Sequence, residues 1–234
     1  MAPKKRNGHV VPAEEPRLPV PVPRKKASEQ SGDASQPKVR RGAVERRTRE
    51  TEVSVVLDLD GEGRARIDTP LPFLNHMLEA LAKHSLIDLR IEARGDVEVD
   101  PHHLVEDVGL CMGRALVEAV GDRAGMRRYG EASLPFDEAL VRCHLDLGGR
   151  AAFVYKVEVL AGRIGSFDVE LCEVFFQALA IEGRMNLHLV SEYGKNRHHL
   201  VEGCFKSFAR ALEQAVMIDP RRAHDVASTK GMLD

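Results

Sequence analysis

The pentapeptide His-His-Leu-Val-Glu occupies positions 102–106 and recurs letter for letter at positions 198–202, 96 residues further along the chain. Each copy opens a run in which apolar residues return at helical spacing. The Glu follows the two His by four and three residues, so it shares a helical face with both. The two His point about 100° apart around the helix, so each can serve a different metal ion. Imidazole and carboxylate together favour manganese, iron or zinc over calcium or magnesium.

The segments around the two copies follow one plan of strands and helices. A strand with one buried face is followed by a turn and a second strand that reads as its hairpin partner, then by a helix, a strand and the His-His helix. We predict strands at 51–59, 64–68 and 86–93 with helices at 73–84 and 102–120, then strands at 139–147, 151–159 and 185–190 with helices at 168–181 and 198–216. Each half is therefore β-β-α-β-α. The predicted fold class is α+β with an internal duplication, in which helices pack between two antiparallel or mixed sheets or on one face.

Residues 1–47 differ in composition from the rest of the chain. They are rich in Pro and contain 12 Lys and Arg against 5 Asp and Glu, a net charge of +7, whereas the whole chain carries −2. Such a segment buries too little apolar surface to offset its ordering entropy, so we predict a disordered basic tail. Three interpretations stay open: an arm that binds RNA or a partner, an organelle-targeting peptide, and a solvating extension, which we favour.

Residues 48–234 are predicted to form one domain of two repeats, at about 48–125 and 126–220, followed by a C-terminal segment. The chain has no apolar stretch of membrane-spanning length, and residues 1–30 lack the apolar core of a secretory signal. The four Cys fall in apolar periodic segments without a CxxC pair, which indicates buried thiols in a reducing compartment. We therefore predict a cytoplasmic protein that neither enters a membrane nor binds nucleic acid, except through the tail.

Several motifs resemble the imidazoleglycerol-phosphate dehydratase family. They are the two His-His-Leu-Val-Glu copies and the stretches 73–78, 82–84, 95–97, 145–150, 194–197, 205–212 and 228–231. The resemblance covers about residues 47–233. It implies dehydration of D-erythro-imidazole-glycerol phosphate to imidazole-acetol phosphate in histidine biosynthesis. It further implies two manganese ions per active site and a 24-mer whose sites lie between subunits.

The resemblance also implies roles for individual residues. Glu50 matches the acid/base carboxylate of the family. The implied metal ligands are His76, His102, His103, Glu106, His198, His199 and Glu202. The implied contacts to the substrate and its phosphate are Arg128, Arg150, Lys206, Ser228 and Lys230. These residue types suit the chemistry: metal ions stabilise charge on an imidazole ring, a carboxylate moves a proton, and Arg and Lys bind phosphate.

One position departs from the family pattern. Val174 stands where the family carries a His, the counterpart of His76 in the second half. Because Val cannot bind metal, we expect one of the two metal sites to be weakened, and Glu170, one helical turn earlier, is the best candidate to reach in. Two alternatives to an active dehydratase follow: a non-catalytic or altered paralogue that keeps the fold and the assembly, and a metallohydrolase or other enzyme on this scaffold.

Overall fold

Two four-stranded sheets with the same strand order frame the chain in a computed structural model, which describes residues 39–158 and 161–233. The first half contains β1 (Arg41–Arg47), β2 (Thr51–Asp58), β3 (Ala65–Asp68), α1 (Pro72–Ser85), β4 (Asp88–Gly95) and α2 (His102–Val120). The second half contains β5 (Tyr129–Phe136), β6 (Ala139–Asp146), β7 (Ala152–Lys156), β8 (Arg163–Ile164), β9 (Phe167–Asp168), α3 (Leu171–Glu182), β10 (Asn186–Tyr193) and α4 (Arg197–Val216). A short 3₁₀ helix, Pro220–Arg222, follows.

Both sheets are mixed and have equivalent topologies. The strand orders are β1-β2-β4-β3 and β5-β6-β10-β7. In the first sheet β2 is antiparallel to β1 and β4, while β3 runs parallel to β4. In the second sheet β6 is antiparallel to β5 and β10, while β7 runs parallel to β10. The predicted α+β class with an internally duplicated plan is confirmed.

The helices lie between the sheets. Helix α2 packs on the first sheet and α4 on the second, while α1 packs against α4 and α2 against α3. The alternating pattern of the strands explains the core, because one face of β2 (Val53, Val55 and Leu57) is fully buried. The helices contribute apolar stripes to the same buried cluster.

Each half uses a glycine to bring its first strand onto its long helix. A Cβ atom added at Gly42 of β1 would overlap the carbonyl oxygen of Ala115 in α2. A Cβ atom at Gly130 of β5 would overlap the carbonyl oxygen of Ala211 in α4 in the same way. The absence of a side chain at these two positions therefore sets the distance between sheet and helix in both halves.

The sequence-based plan missed the first strand of each half. Strand β1 lies at 41–47, so the prediction that the disordered tail extends to residue 47 was wrong for these residues. Both β1 and β5 are edge strands, where charged residues, and in β5 Pro135, replace the clean alternation of a central strand. The rest of the predicted tail, residues 1–38, lies outside the described residues.

The predicted hairpin pairing was also wrong in both halves. Strands β3 and β7 do not return along β2 and β6. They pair in parallel with β4 and β10, at the far edge of each sheet. The reason is connectivity: each is followed by a helix that carries the chain over to the next strand, a crossover that yields parallel pairing. All four helices were predicted to within about three residues of their observed bounds.

Two predictions about composition can be compared with the structure. The four Cys are free and buried, as the apolar pattern indicated. Within the described part of the chain, no helix combines the length and the apolar character needed to span a membrane.

Candidate active site

Three predicted ligands, His76, His198 and Glu202, meet where α1 packs against α4. Their nearest ligand atoms all lie within 4.8 Å of one another. The Nε2 atoms of His198 and His76 lie 2.9 Å and 3.8 Å from Oε2 of Glu202. Among residues 39–158 and 161–233, no other group of three His, Cys, Asp or Glu side chains is gathered this closely.

Local structure fixes this group. The side chain of Asn196 caps α4 and accepts a hydrogen bond from the backbone N–H of His198, so the His-His pair lies in the first turn of the helix. The Phe73 ring packs edge-on against the His198 ring, with 5.2 Å between centroids. The spacing of four residues then places Glu202 under His198.

The Glu202 carboxylate is buried, with a side-chain exposure of 7%. It forms hydrogen bonds with the Lys206 ammonium group and the His198 imidazole. Its Oε1 atom accepts a hydrogen bond from Lys206 Nζ at 2.6 Å. Burial alone raises the pKa of Glu202, but hydrogen bonds from Lys206 and His198 outweigh it and lower the pKa below its ordinary value. A buried, ionised carboxylate beside two imidazoles suits a transition-metal ion, so these residues fit a metal such as manganese, iron or zinc.

We call the group of His76, His198 and Glu202 a metal corner. In the equivalent corner, at His102 and Glu106, the predicted ligands are not brought together in this way. His102 and Glu106 occupy the positions of His198 and Glu202, but both are exposed, and Val174 of α3 takes the place of His76. Glu170, the residue expected to reach in, lines a different cavity with Tyr155 and other residues beside β7. Within the described residues, the group at His198 and Glu202 therefore has three predicted ligands, the third being His76 from the first half, whereas the equivalent position at His102 and Glu106 has two.

Glu50 lies beside His103 in the loop between β1 and β2. Its Oε2 atom is 3.8 Å from His103 Nδ1, and Asp96 Oδ2 lies nearer that nitrogen, at 3.4 Å. The Asp96 hydrogen bond and the Glu50 charge raise the pKa of His103. With 56% of its side chain exposed, Glu50 faces solvent while staying close to a predicted ligand, a suitable place for a group that moves a proton.

A hydrogen-bond network that is buried at Thr51 and Asp107 holds the loop that carries Glu50. The Thr48 hydroxyl accepts hydrogen bonds from the backbone N–H groups of Glu50 and Thr51, at 3.1 Å and 2.9 Å. The Thr51 hydroxyl donates to the buried carboxylate of Asp107, which also accepts from Arg46 Nε at 2.8 Å. Asp107 thereby links α2 to the β1–β2 loop, so the backbone at Glu50 is fixed.

His199, the second His of α4, has its own carboxylate partner. Its Nδ1 atom lies 2.6 Å from Oε2 of Glu138 in the turn between β5 and β6. Sequence reasoning missed Glu138 and assigned no role to Asp96. Both could have been found by asking which carboxylates the duplicated plan places before the second strand, or just before the helix, of each half.

Four of the five predicted substrate contacts line one cleft of about 960 Å³: Arg128, Arg150, Ser228 and Lys230. Arg221 and Arg222 also line it, together with Asp219 and Asp225, so cationic side chains outnumber acidic ones in the lining by five to two. The fifth predicted contact, Lys206, lies instead against Glu202 and over the Phe136 ring.

Arg128 is rigidly held at this cleft. Its guanidinium forms two hydrogen bonds with Asp146, at 2.6 Å and 2.9 Å, and a third with the Ala227 carbonyl oxygen. Its backbone has φ of +74°, an unusual value for a residue with a side chain. Strained, well-tethered residues of this kind are typical of binding sites. Two of the five guanidinium N–H donors of Arg128 are left over by these three bonds, and with Arg150 and Lys230 in the same cleft they suit an anionic group such as a phosphate.

Together, the fold and these two features define a duplicated α+β protein with a candidate metal group and a separate cleft lined mainly by basic residues. The sequence model of imidazoleglycerol-phosphate dehydratase matches residues 69–212. The chain belongs to the imidazoleglycerol-phosphate dehydratase family.

Individual relatives extend the match over most of the domain. The chain is 50% identical over 194 residues to the imidazoleglycerol-phosphate dehydratase of Geobacillus kaustophilus, covering 83% of this chain and 99% of the relative. It is 50% identical over 195 residues to that of Ruegeria pomeroyi, covering 83% of this chain and all of the relative.

Two solved structures share the fold. The Staphylococcus aureus dehydratase gives a TM-score of 0.70 at 35% identity, covering 76% of this chain and 99% of that one. The Pyrococcus furiosus dehydratase gives a TM-score of 0.71 at 34% identity, covering 81% of this chain and 100% of that one.

Proposed function

We propose that this protein dehydrates D-erythro-imidazole-glycerol phosphate to imidazole-acetol phosphate in L-histidine biosynthesis, with divalent metal ions as cofactors. The observation that carries this proposal is the group of His76, His198 and Glu202, in a chain of this family that also has a basic cleft for a phosphate. The reaction removes a C–H proton and a neighbouring hydroxyl as water, and the resulting enol tautomerises to the ketone.

The metal proposal rests on the donor set. His76, His198 and Glu202 would hold one ion, and Mn²⁺ is the ion that we expect. When bound, the metal supplies stabilisation of negative charge on the imidazole ring of the substrate. His102, Glu106, His103 and His199 are the remaining predicted ligands. They are not gathered with the first three in one chain, which supports sites completed by a neighbouring copy, and the assembly that we expect from the family is a 24-mer.

The other roles follow from geometry. Among the residues that the structure describes, none forms a hydrogen bond with the Glu50 carboxylate, which lies 3.8 Å from His103, so Glu50 is the proposed group that takes up and returns the proton. Arg128, Arg150, Ser228 and Lys230 would bind the phosphate in their cleft. Lys206, which pairs with Glu202, would place a positive charge beside the metal group and so contact a bound substrate.

A specific observation favours a second candidate function. Val174 leaves one corner without a His, so the chain could be an altered paralogue that keeps the fold and assembly without full catalysis. The four buried, free Cys support the proposed cytoplasmic location for either candidate.

A metal analysis combined with a turnover assay tests the proposal. Purified protein, before and after chelation, is assayed with imidazole-glycerol phosphate and passed over a gel-filtration column. We expect turnover that is lost on chelation and restored by Mn²⁺, and a large particle that loosens without metal, because binding energy at a shared site is also assembly energy.

Two outcomes would contradict the proposal. Bound metal without turnover would support the altered paralogue. A small monomer of unchanged size with and without chelator would remove the shared-site assembly.

A further inference from the structure

Three hydrogen-bonding interactions of the Glu138 carboxylate converge on the start of α4. Its Oε2 atom lies 2.6 Å from His199 Nδ1. Its Oε1 atom accepts from the backbone N–H groups of Asn196 and Lys195, at 2.7 Å and 3.1 Å. Both oxygens of the Glu138 carboxylate are therefore engaged by groups at or just before the start of α4. Glu138 is thus occupied by structural contacts.

The corresponding residue in the first half is Glu50. Each of these two carboxylates directly precedes the second strand of its half, Glu50 before β2 and Glu138 before β6. The Oε2 atom of Glu50 stays 3.8 Å from His103 Nδ1, because Asp96 takes the nearer place at 3.4 Å. In the first half Asp96 is the carboxylate nearest to the His103 imidazole, which leaves Glu50 available. In the second half Glu138 itself is the carboxylate nearest to the His199 imidazole.

The contact determines which nitrogen of His199 carries the proton. The other oxygen of this carboxylate, Oε1, accepts from two backbone N–H groups, and at 2.6 Å from Oε2 the Nδ1 atom of His199 is the donor. A neutral imidazole with hydrogen on Nδ1 has its lone pair on Nε2. That nitrogen lies 3.6 Å from Asp137 Oδ2, too far for a hydrogen bond, and the Phe136 ring packs edge-on against the imidazole at 4.9 Å. The ring is therefore held with Nε2 available beside a negative charge.

We propose that Glu138 is a positioning residue that holds His199 as the Nδ1–H tautomer, so that Nε2 is its metal-binding atom. The inference rests on the proposed metal-dependent function, because His199 is a predicted ligand. A carboxylate behind a ligand imidazole fixes the orientation of the ring and raises its basicity, and its loss typically weakens metal binding about 10–100-fold.

The test compares Mn²⁺ binding by the metal-stripped full-length protein and its Glu138→Gln variant. Gln is isosteric and its oxygen can still accept from the backbone of Lys195 and Asn196, but its NH₂ group then faces His199 Nδ1. That nitrogen becomes the acceptor, and the hydrogen moves to Nε2. Bound and free Mn²⁺ are distinguished by electron paramagnetic resonance. We expect one class of sites to weaken about 10–100-fold, with the melting temperature of the metal-free protein within about 2 °C of the original.

Two further variants show whether Glu138 acts through His199. In a His199→Ala background, Glu138→Gln should cause no additional loss of Mn²⁺ affinity, the outcome that a double-mutant cycle gives for coupled residues. Glu131→Gln is the matched control, because Glu131 also lies beside a histidine (Oε2 is 3.5 Å from His144 Nδ1) outside the predicted sites. Its Mn²⁺ isotherm should equal that of the original protein.

The outcomes separate this inference from the proposed function. If Glu138→Gln binds Mn²⁺ like the original protein, or if the losses from Glu138→Gln and His199→Ala simply add, the positioning role is wrong. Failure of the original protein to bind Mn²⁺ would remove the metal-dependent function itself. Binding and turnover by the original protein, without an effect of Glu138→Gln, would overturn only the role of Glu138.

Discussion

The two halves of the chain share their packing but not their polar chemistry. Gly42 and Gly130 let corresponding strands approach corresponding helices, and Leu86 and Arg184, with φ of 60° and 46°, follow the ends of corresponding helices. The buried Asp107 of α2, in contrast, has Gly203 as its counterpart in α4. The comparison teaches that backbone and core constraints keep two copies alike, while side chains that do chemistry are free to diverge.

The metal corners show the divergence most clearly. The second half contributes His198 and Glu202 to a group completed by His76 of the first half. The reciprocal group would need a ligand at Val174 of the second half, which is absent. Each corner thus draws on both halves, so the fold has to close before either corner exists, and one substitution is enough to make the corners unequal.

The largest expected effect is on turnover, and it distinguishes Glu50 from the equivalent carboxylate, Glu138. Glu50→Gln should lower turnover about 10³-fold, because a positioned general base or acid typically contributes about 10²–10⁴-fold. Its metal content and assembly should stay near those of the original protein, in contrast with the Mn²⁺ loss expected for Glu138→Gln. Steady-state kinetics and metal analysis on both variants measure this. Equal loss of metal from both would make Glu50 a ligand or a structural residue and erase the distinction.

The next largest effect is expected when the ligands at the two equivalent positions, His76 and Val174, are interchanged. Val174→His should tighten the weaker Mn²⁺ site by more than the roughly 100-fold seen for groups behind a ligand, because it restores a direct ligand. The reciprocal change His76→Val should weaken the complete site by a similar factor. Equilibrium Mn²⁺ titrations report both, and dehydratase activity should rise in Val174→His if weak occupancy limits it.

Two results would contradict this prediction. Full occupancy of two Mn²⁺ sites per chain in the original protein, with no gain from Val174→His, would mean that another residue already serves as the ligand. Unchanged Mn²⁺ affinity in His76→Val would remove His76 from the metal group.

The smallest effect tests the part of the comparison in which the halves agree. Gly42→Ala and Gly130→Ala should each lower the free energy of unfolding by about 2 kcal/mol, because the added Cβ atom forces strand and helix apart. Denaturant unfolding of the metal-free protein measures this. Similar losses would support equivalent packing, whereas a large loss in only one variant would show that one half adjusts more easily.

Much of the fold was predictable because the central strands and the helices carry strong periodic patterns. The alternation of Val53, Val55 and Leu57 and the apolar stripe of α2 reflect burial on one face, which the sequence records directly. Edge strands bury less and tolerate charge, so β1 and β5 left no such pattern. Strand pairing was not predictable from local turns, because the crossover after β3 decides the partner of that strand.

The candidate site was predictable only as a set of residue types. The repeated His-His-Leu-Val-Glu pointed to metal ligands, and the structure gathers His76, His198 and Glu202. The repeated motif could not indicate that Lys206 would form an ion pair with Glu202 while the other predicted phosphate contacts share a separate cleft. Those contacts depend on how helices and terminal segments meet, which no short motif encodes.

Arg40, just before β1, has a consequence for where the domain can be shortened. Its guanidinium donates to the carbonyl oxygen of Val216, the last residue of α4, and pairs with Asp60 beyond β2. This hydrogen bond joins the residue just before β1, at the start of the first half, to the end of α4 in the second half. A shortened form that begins at residue 48 would lose these contacts together with the whole of edge strand β1. It would also expose β2 to pairing with other chains. A shortened form that keeps these contacts therefore has to include Arg40.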